Sequence, residues 1–390
     1  MRGGETGGLR AYNQRLIVAA IRDRGPLSKA EIARATGLSG QGAAVIVNAL
    51  LEEGILTKQG KVRGKVGQPF TPIALNPSGA FSLGIKIGRR SLEVVLVDLL
   101  GRSRDRRSRS YDAPWPEATL AAAAEDVAAL LAPLGPEARG RIVGAGVAMP
   151  GDLHGWAGEL GLAPGALDGW IGRDVAGTLA AETGLDVALY NDATAACAAE
   201  ILAGAAMARG SALYLYVGTF IGGGVVLDGQ LFRGAQRNAG ALGSMPVGAA
   251  VGTETQLIHH ASAFALEQAL EAAGLPRDAS GGAEAEAVFA RWCAGAAPAM
   301  AQAIVAATSV IDFELAVIDG TLAPRWRSAL TKAVAAALPR FNRAGLSPVA
   351  LAEGTIGAPA RVLGAALLPL QARFSPDPGL LARVPVLAAE

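Results

Sequence analysis

Sulfur and imidazole are scarce in this chain. Only two of its 390 residues are cysteine, Cys197 and Cys293, and neither belongs to a CxxC pair. That excludes a disulfide framework and a cysteine-built zinc site, and three histidines do not make up the deficit. Charged residues make up 18% and hydrophobic ones 51%, a balance that excludes a wholly disordered chain. Long uninterrupted apolar runs are missing as well. The most weakly polar stretch, Ala294 to Ile311, is mostly alanine and glycine and contains Gln302 and Thr308, and Met1 to Arg10 lacks the apolar run of a signal peptide. No membrane attachment and a cytoplasmic location are expected. The chain is about two to three times the usual length of one domain, so more than one folding unit is expected.

Net charge is only +1, but the average hides an asymmetry. Residues 1–70 hold 11 Lys and Arg against 5 Asp and Glu, whereas the remaining 320 hold 24 against 29. All of the positive excess lies at the N-terminal end, which points to phosphate contact there.

That end also carries a pattern of short helices. Between Asn13 and Asp23, Leu16, Ile17, Ala20 and Ile21 fall at helical spacing before Gly25-Pro26. Ser28 with Glu31 forms a capping-box pattern for a second helix ending at Gly37. Ser39 is placed to cap a third, with apolar Val45, Ile46, Ala49 and Leu50, ending at Gly54. The tight turn Thr36-Gly37-Leu38-Ser39 makes this a helix-turn-helix, which presents its recognition helix to the major groove. Ile55 to Leu75, with Lys58, Lys61, Arg63 and Lys65 interleaved with glycines, reads as a basic hairpin wing. Alone it reads as an ordinary solvated hairpin; beside the helix-turn-helix it favours DNA binding.

Asn76-Pro77-Ser78-Gly79 marks a boundary, after which strands and Gly-rich loops alternate with Ala-rich helices. Strands are expected at Phe81 to Ile87, Leu92 to Asp98, Arg141 to Ala148, Val187 to Tyr190, Ser211 to Val217, Gly224 to Leu227, Glu314 to Ile318 and Val349 to Ala352. Helices are expected at Ala118 to Leu131, from Asp192 to Ala205, through much of Ala261 to Leu338, and at Ala358 to Leu370. Two strand-rich passages, each followed by helices, suggest two α/β lobes with a cleft between them. No short repeats are detected.

The motifs Leu83-Gly84-Ile85-Lys86-Ile87-Gly88, Gly146-Val147-Ala148-Met149-Pro150-Gly151, Asn191-Asp192-Ala193 and Val217 to Gly224 stand in one order, followed by Asn238 to Gly243 and Leu363-Gly364-Ala365-Ala366. On these, and on the winged helix-turn-helix before them, nearly the whole chain resembles the ROK family (repressors, open reading frames, kinases), in particular its xylose and N-acetylglucosamine repressor branch. The resemblance implies an α/β fold: an N-terminal winged helix-turn-helix, 1–78, followed by a two-lobed actin-like, sugar-kinase-like (ribonuclease H-like) ROK domain, 79–390. Lobe one would take about 79–200 plus the C-terminal segment, and lobe two about 201–370. In the family's kinases Asp192 matches the catalytic base and Asn191 a sugar-hydroxyl contact. The alternative for Asp192 is a helix cap.

The chain departs from the kinase pattern in both phosphate loops. Lys86 stands where the family's kinases place an Asp, Arg89 and Arg90 replace small or hydroxyl residues, and Phe220 replaces a glycine. A cation at Lys86 does not hold magnesium, and a ring at Phe220 crowds phosphate approach to the backbone. Ala241 and Ser244 stand for the sugar-contacting Glu and the zinc-binding His. His259 and His260, adjacent on a helix, point about 100° apart, which suits no compact metal site. Asp168, Gln236, Arg237 and Asn238 are candidate replacement sugar contacts, Asp168 being equally a turn residue. Trp170 reads as packing. Lys86, Arg89 and Arg90 form either a solvated, salt-bridged turn or a site for an anionic effector such as a sugar phosphate.

The expectation is therefore a regulator and not an enzyme, with no cofactor and no metal. Its partners would be double-stranded operator DNA and a sugar or sugar phosphate effector, bound by a homodimer or homotetramer. Ser39, Gln41 and Asn48 on the recognition helix and Lys61, Arg63 and Lys65 on the wing are the DNA-contact candidates; amide side chains pair bidentately with adenine. Asp168, Asn191, Asp192, Gln236 and Asn238 are the effector candidates, and Lys86, Arg89 and Phe220 mark degenerate nucleotide loops. An active sugar kinase that also carries a DNA-binding domain is the alternative, and a ROK domain serving only dimerisation is a third.

Overall fold

A computed structural model describes residues 3–63, 69–158, 160–207, 210–248 and 255–376. The chain opens with helices α1 (Gly3–Arg24), α2 (Lys29–Thr36) and α3 (Gly40–Glu52). Both caps legible in the sequence form. Ser28 accepts from Glu31 N while Glu31 accepts from Ser28 N, Gly37 closes α2 at φ +71°, and Ser39 accepts from Gly42 N at the start of α3. Strands β1 (Leu56–Lys58) and β4 (Ile73–Leu75) pair antiparallel, as do β2 (Val62–Arg63) and β3 (Pro69–Phe70), giving the wing. Lys65 lies outside the described residues, as does the side chain of Arg63.

Lobe one is built on β5 (Phe81–Ile87), β6 (Ser91–Asp98), β7 (Ser103–Ser110), β8 (Ile142–Met149) and β9 (Val187–Asn191), in the order β7-β6-β5-β8-β9. Strands β5 to β7 run antiparallel, and β8 and β9 lie parallel to β5. Helices α4 (Pro116–Leu131), α5 (Pro136–Arg139) and α6 (Val175–Thr183) accompany it, with Leu120, Val127 and Leu179 buried against Leu83, Ile85 and Val94. Strand β7, Ser-Arg-Asp-Arg-Arg-Ser-Arg-Ser, escapes the sequence pattern because it has no apolar face. It is an exposed edge whose charges suit an unpaired sheet border.

Helix α7 (Asp192–Ala203) crosses to lobe two, where β10 (Ala212–Val217), β11 (Ile221–Leu227), β12 (Gln230–Phe232), β15 (Leu315–Gly320) and β16 (Ala350–Glu353) take the order β12-β11-β10-β15-β16. Again three strands are antiparallel and two are parallel. The two lobes thus share one topology, a repeat of architecture that leaves no short repeat in the sequence. Between β12 and β15 lie the short pair β13 (Pro246–Val247) and β14 (Thr255–Gln256), then α8 (Leu257–Ala261), α9 (Ala263–Ala272) and α10 (Ala283–Val310). Helix α10 is the one helix among the described residues long and apolar enough to cross a membrane; half of its most apolar window is buried within the protein. Helix α11 (Pro324–Ala337) follows β15.

The last helix, α12 (Ala360–Phe374), returns to lobe one and packs on α7, β5 and β8. Small residues make that approach close. A Cβ at Gly84 would stand 2.2 Å from Val362 O, and one at Gly364 1.7 Å from Ala195 O. One apolar core runs across the boundary at residues 76–79: Ile17, Val18, Leu50 and Leu75 of the N-terminal module join Val95 and Val97 of β6 and Leu370 and Phe374 of α12. Asn76 adds a hydrogen bond from its Nδ2 to Gly54 O.

Candidate functional site

Helix α3 divides cleanly by face. Ala43, Ile46, Val47 and Leu50 are buried, and Gln41, Val45 and Asn48 are exposed at helical spacing on the opposite side. Val45, one of the apolar residues of the third helix, is 60% exposed. Ala43, Ile46, Val47 and Leu50 complete the buried stripe, and Val45 falls on the outer one. An apolar side chain between two amides is a chemistry that reads thymine methyl beside adenine. Asn48 Oδ1 accepts from Lys29 Nζ at 2.7 Å, which orients the amide. Ser39 spends its hydroxyl on the helix cap. Lys61 is exposed on the wing.

The cleft between the lobes gathers a second set. Asn191 is the residue that caps α7, its Oδ1 accepting from Ala193 N and Thr194 N, so the cap role weighed for Asp192 belongs chiefly to its neighbour. Asp192 Oδ1 accepts from Ala193 N at 2.9 Å and its Oδ2 from Arg361 Nη1 at 3.3 Å. Arg361, on α12, is buried, and its guanidinium carbon lies 5.3 Å from the Tyr216 ring centroid. Asn191, Asp192, Asn238, Ala241, Ser244 and Arg361 share the lining of one cavity of about 290 Å³. Asp168 and Gln236 do not line it. Both are exposed, Asp168 at the head of a turn anchored by buried Trp170, whose Nε1 donates to Pro114 O at 2.7 Å.

At the first loop, Lys86 is only 5% exposed and donates to Ser91 Oγ at 2.6 Å and Glu93 Oε1 at 3.2 Å. Burial, and next the neighbouring Arg361 charge, push its ammonium down to about 8. Of the two readings of this loop, salt bridging is what these pairs form: Arg90 lies 3.9 Å from Glu267, and Glu93 is shared between Lys86 and Arg106. Phe220 packs on Trp156, ring centroids 3.8 Å apart, and the Arg89 guanidinium covers both at 4.0 and 4.5 Å. These groups adjoin a second cavity of about 280 Å³. His259 is exposed and His260 bonds Thr255; no group of three or more His, Cys, Asp or Glu with metal-site spacing occurs among the described residues.

Sequence reading missed Arg361 and Trp156. The signal for Arg361 was its isolation as the sole charge between Ile356 and Leu370. A lone cation in an apolar helix implies a buried partner.

Comparison with known proteins bears on the family and the fold. The chain matches the ROK family over residues 82–372 and a winged helix-turn-helix DNA-binding module over residues 10–57. It is 24% identical to the xylose repressor of Bacillus subtilis over 239 residues, 61% of each chain. Among solved structures, a ROK family transcriptional regulator described as a homologue of the Escherichia coli MLC protein superposes over 96% of this chain and 98% of its own, with a TM-score of 0.69 at 19% identity. A ROK hexokinase from Thermus thermophilus covers 74% of this chain and 97% of its own, with a TM-score of 0.55 at 29% identity.

Proposed function

The chain belongs to the ROK family, and from that premise we propose that it is a sequence-specific DNA-binding transcriptional regulator. It represses carbohydrate uptake or metabolism genes, answers to a sugar or sugar-derived effector held between the ROK lobes, and has no kinase activity. The observation that carries this reading is the core shared by α1, α3 and α12, which ties the DNA-reading module to the lobe that lines the cleft.

Helix α12 supplies the route between the two sites. Arg361 near its start lines the cleft; Phe374 at its end packs with Val18 and Leu50, about 20 Å further along the helix axis. An effector that binds open and closed lobes unequally shifts their populations, and α12 carries that shift to the recognition helix. Residues 1–78 serve as the DNA-binding unit and 79–390 as the ROK unit. A homodimer or homotetramer in the cytoplasm presents paired recognition helices to a pseudo-palindromic operator.

Kinase chemistry requires a carboxylate that accepts a hydroxyl proton and a phosphate loop compatible with magnesium. Against it stand the Asp192 carboxylate held by Arg361 and the Lys86 ammonium at the loop. The carbohydrate link rests on the xylose repressor among the relatives.

The test is selection of duplexes from a random pool by the full-length protein, then operator affinity measured with and without a panel of sugars, alongside a coupled ATP-turnover assay. Enrichment of a palindromic motif, a sugar-dependent change in its affinity and no sugar-dependent ATP hydrolysis are expected. Absence of an enriched motif, or sugar-dependent turnover of ATP, overturns the proposal.

A further inference from the structure

A cavity of about 340 Å³ lies where the DNA-reading module meets lobe one. Helix α1, the end of α3, the start of β8 and the end of α12 all line it. It is remote from the cleft: Arg361, which lines the cleft, and Phe374, which lines this cavity, lie about 20 Å apart along α12.

We propose that this cavity is a second ligand site, separate from the effector cleft, for a small monoanion with an apolar body, an aliphatic or aromatic carboxylate. The inference is independent of what the cleft binds.

The junction around the cavity is tightly closed. A Cβ at Gly79 would stand 2.8 Å from Gly54 O, and one at Gly54 2.8 Å from Arg141 Nη2. Packing of that closeness leaves few spaces larger than a water molecule, so a cavity of this size beside it is a shaped feature. At about 340 Å³ it falls within the range of small-molecule sites, about 300 to 1,000 Å³, which favour boundaries between folding units. Val18, Leu50 and Phe374, all buried, give it an apolar wall. The apolar surface of a ligand gains by leaving water for such a wall.

Three arginines share the lining. Arg141 donates Nη1 to Ser78 O and Nη2 to Glu137 Oε1, both at 2.8 Å, and Arg15 donates Nη1 to Ser375 O at 3.2 Å. The carbonyls orient these guanidinium groups without neutralising them, and a guanidinium carries five N–H donors in a fork that matches a carboxylate. The third, Arg373, is exposed near the end of α12. Among the described residues Glu53 lines the same cavity and Glu137 pairs with Arg141, so three cations meet two carboxylates and one positive charge is left over. A singly charged head answers that surplus. A neutral sugar supplies neither the charge nor the apolar body.

The full-length protein is titrated with benzoate, phenylacetate and hexanoate, with their neutral amides and with inorganic phosphate, at matched ionic strength. Melting temperature and calorimetric affinity are followed. Two variants isolate the cavity: Arg373→Gln removes a cation at an exposed position, and Ala11→Phe fills the space from α1 without changing charge. At least one carboxylate is expected to raise the wild-type melting temperature and to bind at least about tenfold tighter than its amide. Arg373→Gln should remove that advantage, and Ala11→Phe should abolish binding of acid and amide alike; Arg373→Gln decides if Ala11→Phe folds poorly. No protection of wild type by any carboxylate overturns the site, as does an acid-over-amide preference that survives Arg373→Gln. Phosphate that protects as well as the carboxylates shows a bare anion site and overturns the ligand class. None of these readouts involves DNA or sugar, so failure here leaves the regulator reading standing.

Discussion

Arg361 Nη1 and Asp192 Oδ2 meet at 3.3 Å across 169 residues of sequence, joining the start of α12 to the start of α7 at the floor of the cleft. The pair places the one charge of the C-terminal helix's apolar stretch against the carboxylate that a sugar kinase would use as its base. Removing one member leaves the other charge buried alone. Asp192→Ala is therefore expected to lower unfolding free energy by about 3 kcal/mol, read from urea midpoints. Asp192→Ala combined with Arg361→Met should recover most of that loss, since neither charge is then stranded; a double variant as unstable as the single one refutes the pairing argument.

Lys86 gives the stability a defined pH dependence. Its ammonium titrates near 8 when folded and near its ordinary 10.5 when unfolded, so between those values the unfolded chain binds more protons. Its contribution is thus most favourable above 10.5 and is lost as pH falls toward 8. Between pH 7.5 and 10, wild type should gain about 2 kcal/mol relative to Lys86→Met. Denaturant titrations of both proteins at the two pH values check this, and a difference that does not change with pH contradicts it.

On the recognition helix, side chains that read bases and side chains that hold phosphates should separate experimentally. Gln41→Ala and Val45→Ala are each expected to cost about 1–3 kcal/mol on the selected operator and little on unrelated DNA. Lys61→Ala should weaken both alike and reduce the slope of affinity against salt by about one ion. Binding titrations at several salt concentrations distinguish the two patterns.

Helix α12 depends on close approach. With Ala195 O only 1.7 Å from where its Cβ would sit, Gly364→Ala is expected to destabilise the protein by about 3 kcal/mol, measured by urea denaturation. At the far end of the same helix, Phe374→Ala removes the ring that packs against the N-terminal module. It should bring the ratio of operator affinities with and without effector toward one; an unchanged ratio shows that signalling runs by another path.

Much of this was legible from residues alone. Ser28 with Glu31, Ser39 and Gly37 specified the helix-turn-helix, because caps are local hydrogen-bond devices whose partners lie within a few positions. Alternating or continuous apolar runs marked most strands of both sheets. What lay beyond reach was everything set by distant partners. Strand β7 has no apolar face and exists because β6 offers it an edge. Val45 belongs to the surface because of how α3 is rotated on its neighbours. Asn191, Asn238 and Asp192 converge on one cavity while Asp168 and Gln236 stay outside it, a sorting made by the approach of two lobes. Arg361 acquires its role only when α12 folds back onto α7. The sequence by itself determined local structure, through caps and apolar periodicity; the tertiary structure decided which charges meet, because burial and pairing are properties of packed neighbours that no single segment contains.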